Sequence, residues 1–438
     1  MAVTARSVSE ALRGAVGADR LIVDPAALDA AAIDGCTPRW LARPQALEHV
    51  AAVLAVATDE RLAVTPRGSG SSLTLGHPPA RLDIVLDLRD LDAVVQYNPD
   101  DLTVTVQAGV TRTALAERLA PRRQWLPLDP VDGAARTVGG IVATNASGPL
   151  RARYGSARDL LLGVRFVQAD GVSTWGGARV VKSVSGYDIP KLMVGSLGTL
   201  GVLVELTLRL HPMPDMETTR VVTFSTVDGA QAFVARVLDS TVPPLRLEIL
   251  NAALLSACGA PLAPAAVAVS VGSVEPAVRA AEKALTELAR AEDGMNTGVG
   301  GDFWRRYDAA MPAHTYPVIL KVGTLTTAVA ATMREAERVL APDVAVAGCA
   351  PAGVVRVGVR ASAADGVVPG IAAGVRALRA LVAESAGSVV IERAPREVRE
   401  AVEPWGAVEA ASLALMRALK TEFDPLRILN AGRFVGGM

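Results

Sequence analysis

Apolar residues first recur at helical spacing in RPQALEHVAAVLAVATDERL, where Leu47, Val50, Leu54 and Ala57 share one face. Pro44 stands near the start, where its missing N–H costs nothing. This amphipathic helix leads into a short strand over residues 62–65. Beyond the glycine-rich TPRGSGSSLTLG, the period changes to two. Ile84, Leu86 and Leu88 alternate in LDIVLDL, NPDD makes a turn, and LTVTVQAG reads as another strand. From Val202 the even positions through Leu210 are apolar, with Glu205, Thr207 and Arg209 between them, which predicts a half-buried strand. HPMPDME, residues 211–217, reads as a linker because its two prolines end any ladder.

Past that point RVVTF, LRLEIL, AVAVSV, VILKV and VRVGV alternate with the helical patterns EPAVRAAEKALTELARA and TTAVAATMREAERVL. The alternation predicts a second α+β unit whose helices cover one face of a sheet. A last helix near residues 408–423 runs into FDPLRILNAGRF.

Composition narrows the function classes. With 438 residues, half of them hydrophobic, the chain is long enough for two or three domains. Lys and Arg total 44 against 45 Asp and Glu without a basic block, so no nucleic-acid partner is expected. Cys36, Cys258 and Cys349 are widely spaced and odd in number, which predicts buried thiols in a reducing compartment rather than a metal site or disulfides. The opening MAVTARSVSEALRG has no apolar core and carries Glu10, so export is not expected and a cytoplasmic location is. The uncharged run 251–274 is broken by Pro261 and Pro264 and predicts a buried strand with its approach loop, not a membrane span.

The loop Thr65 to Gly76 holds three glycines and five hydroxyl side chains. Small residues after a strand let backbone N–H groups approach an anion, and phosphate is the usual guest. No GKS or GKT follows and the third glycine of GxGxxG is missing, so neither a P-loop nor a Rossmann turn is indicated. Alone, the loop is equally compatible with a surface turn. Two further small-residue loops, in RTVGGIVATNASGPLRARYGSARDLLLGVRFVQADG and GSLGTLGVLVEL, suggest a long ligand lying against backbone, for which a dinucleotide would be suited.

The order PRGSGSSLTLG, DDLTVTVQAGV, TVGGIVATNASGP with RYGSARDLLLGV, KSVSGYDIPKLMVGSLGTLGVLVELTLRLHP and FDPLRILNAGRF resembles the FAD-linked oxidases of the vanillyl-alcohol oxidase type, and most of all the FAD-binding subunit of the glycolate oxidase complex. The resemblance implies an α+β fold: a two-subdomain PCMH-type FAD-binding domain over residues 1–213, to which a tail at 420–438 returns, and an α+β cap with a largely antiparallel sheet over 214–419. By the same likeness Pro66, Arg67, Gly68, Ser69, Gly70, Ser71, Ser72 and Gly76 would wrap the FAD pyrophosphate. Thr137, Gly139, Gly140, Thr144, Asn145 and Ser147 would line the flavin and phosphate region. Gly201 and Val202 would meet the adenine end, and Asn430 and Arg433 would return near the isoalloxazine. Members that attach FAD covalently use a histidine directly after the loop glycines; here Ser71 and Ser72 stand there and His77 lies at the far end, which implies non-covalent FAD.

Oxidation of a 2-hydroxy acid needs a cation for the carboxylate and an acceptor for the hydroxyl proton. Relatives acting on D-2-hydroxy acids carry a histidine-rich metal motif and a Glu-His pair. Here the first corresponds to AVAGCAPAGVVRVGVR, without histidine, and the second to Glu392-Arg393, so no metal site is expected. Arginine keeps its proton, so Arg393 does not replace a histidine base. Lys321, Arg356 and Arg393 are the candidates for holding the acid, unless each lies on the solvent face of its strand. Tyr187, Tyr316, His314 and Glu248 are possible proton acceptors. Trp304 and Arg305 in FWRRYD either cap the flavin pocket or belong to a packing cluster. The resemblance further implies a second FAD-linked oxidase subunit and an iron–sulfur subunit as partners, at most peripheral membrane association at the inner face, and glycolate or lactate as substrate. A free-standing flavin dehydrogenase and a flavin-binding scaffold are the competing readings.

Overall fold

The helix expected after Pro44 spans Leu47–Asp59 and buries Val50, Val53, Leu54 and Ala57. In this computed structural model the described residues are 5–131, 133–178, 186–298, 301–340, 344–360 and 367–438. The first four residues of the chain and residues 182–185 of the KSVSGYD motif lie outside them. The helix covers a four-stranded sheet in the order Leu21–Ile22, Trp40–Ala42, Ile84–Asp87, Val64–Arg67, of which the last three run parallel. The far edge is closed by the chain's tail: the Val64 N–H donates to the Ile428 carbonyl, and the Asn430 N–H donates to the Val64 carbonyl, both at 2.8 Å.

A second sheet of five antiparallel strands follows the order Val94–Asn98, Thr103–Gln107, Val202–Arg209, Leu161–Val167, Ser173–Gly177. Its middle strand departs from the simple alternation of the sequence. A register shift between Leu203 and Glu205 reverses which face the side chains take. Val202 and Val204 therefore pack into the core around Val64 and Leu429, while Leu206 and Leu208 pack with Val104 and Leu115. Thr207 is buried too, its hydroxyl 2.9 Å from that of Thr105. The strand joins two cores instead of presenting one face to water.

The expected linker is shorter than the prolines suggest. His211–Pro212 pairs with Gln124–Trp125, and the next strand begins at Met216. This strand enters an eight-stranded sheet, antiparallel at every pair, in the order Met295–Thr297, Met216–Phe224, Ala265–Ser273, Pro244–Asn251, Val344–Cys349, Val354–Val359, Val318–Gly323, Ser388–Arg393. Within the uncharged run a short helix, Ala252–Ala257, interrupts the approach to the buried strand. Helices Val227–Leu238, Glu275–Ala291 and Val329–Leu340 bury Phe233, Leu285 and Met333 against one face with Leu247, Ile249, Val357, Leu320 and Ile391.

Period-two alternation sends the intervening residues to the opposite face. Glu248, Arg356, Lys321 and Glu392 therefore look toward the first two sheets. Arg246 reaches Asp129 at 3.3 Å across this boundary, and Arg399 forms a buried ion pair with Asp34. Cys258 and Cys349 are buried free thiols, but Cys36 is only half-buried because it sits on a surface turn bridged to Ile33. Among the described residues no helix is long and apolar enough to cross a membrane.

Candidate functional site

The glycine loop lines a cavity of about 710 Å³. Pro66, Arg67, Gly68, Ser69, Gly70, Ser71 and Ser72 form one wall, Thr137, Gly139, Gly140 and Thr144 another, and Asn430 and Arg433 close it. The backbone N–H groups of residues 69–72 donate to no acceptor among the described residues, leaving four adjacent donors for a guest. Arg67 directs its guanidinium to Asp87 at 2.9 Å. Burial pushes the Asp87 carboxyl up, yet hydrogen bonds from Arg89 and Arg67 outweigh it and hold it below the ordinary carboxylate range.

Close approach requires the glycines. A Cβ on Gly68 would lie 2.1 Å from Thr137 Oγ1, and one on Gly139 would lie 2.6 Å from the Ala108 Cβ. Thr137 Oγ1 accepts from the Gly140 N–H at 3.2 Å and so caps the helix Val138–Thr144. Gly68→Ala is expected to push this cap aside and widen the cavity. An overpacking cost of about 1–3 kcal/mol, felt in the cofactor-bound form, corresponds to roughly 5–150-fold weaker cofactor binding, measurable by flavin fluorescence titration.

The tail is built into the same wall. Asn430 takes a left-handed backbone (φ 49°), and its Oδ1 accepts from Thr65 at 3.3 Å and from Arg433 at 3.1 Å. Arg433 is 2 % exposed and donates to the Leu73 and Leu75 carbonyls, so it props the glycine loop from behind. Burial lowers its guanidinium to about 10.

The remaining expected FAD contacts separate. Gly76, at φ +81°, packs against Trp405 and the Arg433 carbonyl and lines neither this cavity nor the next. Asn145 ends the helix Val138–Thr144 with a left-handed φ of 49°; its buried Oδ1 has no hydrogen-bond partner among the described residues, and it too stands off the cavity wall. Gly201 backs onto Phe166 and Val202 is sealed in the core, so neither reaches the cavity.

Ser147 belongs to a second cavity, of about 580 Å³, which shares Ser71, Ser72 and Thr144 with the first. Its charged walls are Arg136, Arg356, Arg393 and Glu392. Arg356 donates from Nε to Glu392 Oε2 at 3.1 Å and from Nη2 to the Ser147 carbonyl at 3.1 Å, tying the cap to the loop. Burial would raise Glu392, but Arg356 and Lys321 outweigh it and hold it ionised below its usual range. Lys321 lies in register with Arg356 without lining the cavity, and desolvation lowers its ammonium. Arg393 lines the cavity while donating to the Met311 and Tyr316 carbonyls at 2.9 and 3.0 Å. Three guanidiniums against one carboxylate make the cavity attractive to a small anion.

Arg136 was not singled out by the sequence. It opens the RTVGG stretch and donates to Ser72 Oγ at 2.9 Å, and only its place before the glycines could have marked it. Tyr187 is 92 % exposed and His314 lies on the surface, so neither faces these cavities; Tyr316 is buried, its ring beneath Arg360. Trp304 bonds Thr219 at 3.0 Å and lies under Arg246, and Arg305 pairs with Asp302 in the open. FWRRYD is thus a packing helix at Phe303–Asp308, with Trp304 and Arg305 on neither cavity wall. The stretch 345–360 forms two strands joined by a tight turn. Among the described residues no cluster of three His, Cys, Asp or Glu could hold a metal.

Comparison with known proteins supplies the family. The family described as FAD binding domain matches residues 38–176, and FAD linked oxidases, C-terminal domain, matches 406–434. D-2-hydroxyglutarate dehydrogenase of Xanthomonas citri pv. viticola is 31 % identical over 461 residues, covering 96 % of this chain and 95 % of that protein. The chain belongs to the FAD-linked oxidases. Its cofactor is FAD, and the bare loop with four open amides suits a pyrophosphate.

The chain is also similar to a probable mitochondrial D-lactate dehydrogenase of Danio rerio, 36 % identical over 49 % of this chain, and to glycolate oxidase subunit GlcD of Bacillus subtilis, 29 % identical over 49 %. The matches span 44 % and 47 % of those proteins, less than half of each. In fold it matches 4-ethylphenol oxidase of Gulosibacter chungangensis, with a TM-score of 0.78 over 99 % of this chain and 98 % of that one at 15 % identity. The α+β, PCMH-type architecture of this FAD-linked oxidase follows from that likeness and from its antiparallel sheets.

Proposed function

We propose that the chain oxidises a small 2-hydroxy acid at the boundary between its two cavities, as the flavoprotein subunit of a glycolate or D-lactate dehydrogenase complex. The observation that carries this reading is the second cavity, lined by three guanidiniums and sharing Ser71, Ser72 and Thr144 with the flavin cavity. FAD, when bound, supplies the acceptor for the two electrons and the α-hydrogen. Arg356, steadied by Glu392 and the Ser147 carbonyl, binds the substrate carboxylate, with Arg136 and Arg393 on the adjoining walls. Lys321 adds positive charge behind them and keeps Glu392 ionised. Residues 1–213 with the returning 420–438 form the cofactor unit, and 214–419 the cap that supplies these cations.

FAD is held without a covalent bond, since His77 is engaged by Glu403 at 3.0 Å at the loop's far end. Three free cysteines are too few for an iron–sulfur cluster, so the electrons leave to a cysteine-rich partner beside a second FAD-linked subunit, in the cytoplasm or at the inner membrane face. The near full-length match to D-2-hydroxyglutarate dehydrogenase favours a second reading, a free-standing dehydrogenase. Anaerobic absorbance spectra with glycolate, D-lactate and L-lactate test both. Flavin bands that acid precipitation releases are expected. Bleaching by one hydroxy acid, with slow turnover on a dye until partners are added, supports the subunit; fast turnover alone supports the free-standing enzyme.

A further inference from the structure

The sheet face that carries Arg356 holds a second polar cluster one strand deeper. A cavity of about 250 Å³ is lined by Glu248, Tyr307, Cys349, Arg151, Ser147 and Arg356 among others. Ser147 and Arg356 also line the substrate cavity, so the two spaces meet at one guanidinium. Glu248 is 3 % exposed. Tyr307 Oη donates to its Oε2 at 3.2 Å, and the Cys349 thiol lines the same small cavity. Arg356, two strands away across Val344–Cys349, and Asp129, on a loop, are the charges that act on it, and Arg151 faces the cavity from the short helix Arg151–Tyr154. Glu248 forms no ion pair among the described residues, in contrast with Glu392.

A buried carboxyl without an ion pair resists ionisation, and burial pushes Glu248 up to about 7. Oxidising CH–OH to C=O releases the hydroxyl proton as the α-hydrogen leaves. The groups lining the substrate cavity are poor acceptors: Arg136, Arg356 and Arg393 keep their protons, and Glu392 is held ionised by Arg356.

Building on the proposed function, we infer that Glu248 stores the hydroxyl proton of the substrate, delivered past Arg356 through water in the small polar cavity. The open space beside Glu248 is at the lower limit for a single water, so the relay is one bridging molecule held by Glu248, Arg356 and the Ser147 hydroxyl. In the step the α-C–H and O–H bonds break and a C=O bond forms. The α-hydrogen leaves with two electrons to FAD, and the proton converts the Glu248 carboxylate to the acid. Tyr307 positions the carboxylate and favours its ionised form.

The test follows flavin bleaching by the active hydroxy acid from pH 5.5 to 9, beside an infrared titration of the protein's carboxylic C=O band. Wild-type bleaching is expected to fall on an acidic limb near neutrality, matched by a carboxyl band that vanishes over the same range. Glu248→Gln is expected to lose the limb and the part of the band that titrates near 7, leaving that of Asp129, which burial raises to about 6, and to slow bleaching about 100-fold at pH 8. Tyr307→Phe should keep the limb but move it to higher pH, because the donor favouring the carboxylate is gone. The same limb in Glu248→Gln, or no titrating band, overturns the inference while leaving the proposed function standing. A wild-type flavin that no hydroxy acid bleaches overturns both.

Discussion

Asp424→Ala is expected to purify free of flavin and to unfold about 3–5 kcal/mol more easily than the wild type at neutral pH. Asp424 is fully buried; Oδ2 accepts from Lys420 Nζ at 2.6 Å and from the Leu429 N–H at 2.8 Å, and Oδ1 accepts from the Ile428 N–H at 3.0 Å. Lys420 is itself buried and also donates to the Thr199 and Leu429 carbonyls at 2.8 and 3.0 Å. Removing the carboxylate leaves an uncompensated ammonium and two orphaned amides at the point where the tail turns into the flavin wall. Burial already lowers Lys420 from 10.5, against the pull of Asp424, and without that pull it falls further. The unfolded variant then binds more protons than the folded one, so its stability should rise with pH up to about the ordinary lysine value. Urea unfolding at several pH values reads this directly. A deficit independent of pH would show that packing, not the buried charge, sets the cost.

Arg356→Ala should retain FAD yet lose roughly a hundredfold or more in the rate of flavin reduction by the hydroxy acid, because the carboxylate clamp is gone. Cofactor retention is expected since Arg356 lines the second cavity and not the first. The stability change has a sign that pH exposes. In the wild type Glu392 is held below 4.5, so its contribution is present above that value and is lost as pH falls through the folded value. In the variant burial dominates and raises Glu392, so ionising it works against folding. The gap between the two proteins is therefore expected to be small in acid and to widen to about 3–5 kcal/mol at alkaline pH, as seen in paired denaturation curves. Arg356→Lys keeps a charge but not the fork that spans Glu392 and the Ser147 carbonyl, and should rescue little.

Local pattern made much of this readable from sequence. The helix Leu47–Asp59, the strands around Ile84 and Val104 and the bare loop before Gly76 each follow from period and residue type, because the core contacts of those segments repeat along the chain. Leu203 and Glu205 show where such reading stops: a bulge reverses the faces, and nothing in the apolar count marks it. The site residues divide in the same way. Gly68, Ser69 and Thr137 are visible as loop chemistry, whereas Gly201 offers only bare backbone against Phe166 and Val202 an apolar side chain that serves core packing equally well. Arg136, the Glu248–Tyr307 contact and the Asp34–Arg399 pair depend on strand order and on long-range docking, which no local period encodes.

The junction of Val64 with Leu429 also fixes a timetable. Thr65 and its hydrogen-bonded partner Asn430 are 365 residues apart, so at a synthesis rate of about 5–20 residues per second the first sheet waits roughly 20–70 s for its closing segment. Throughout that interval the Val64–Arg67 strand is an open edge, the kind that recruits other chains. While most of the chain is still being made, the first cavity lacks its Asn430 and Arg433 wall, and the time this edge stays open lengthens as translation slows.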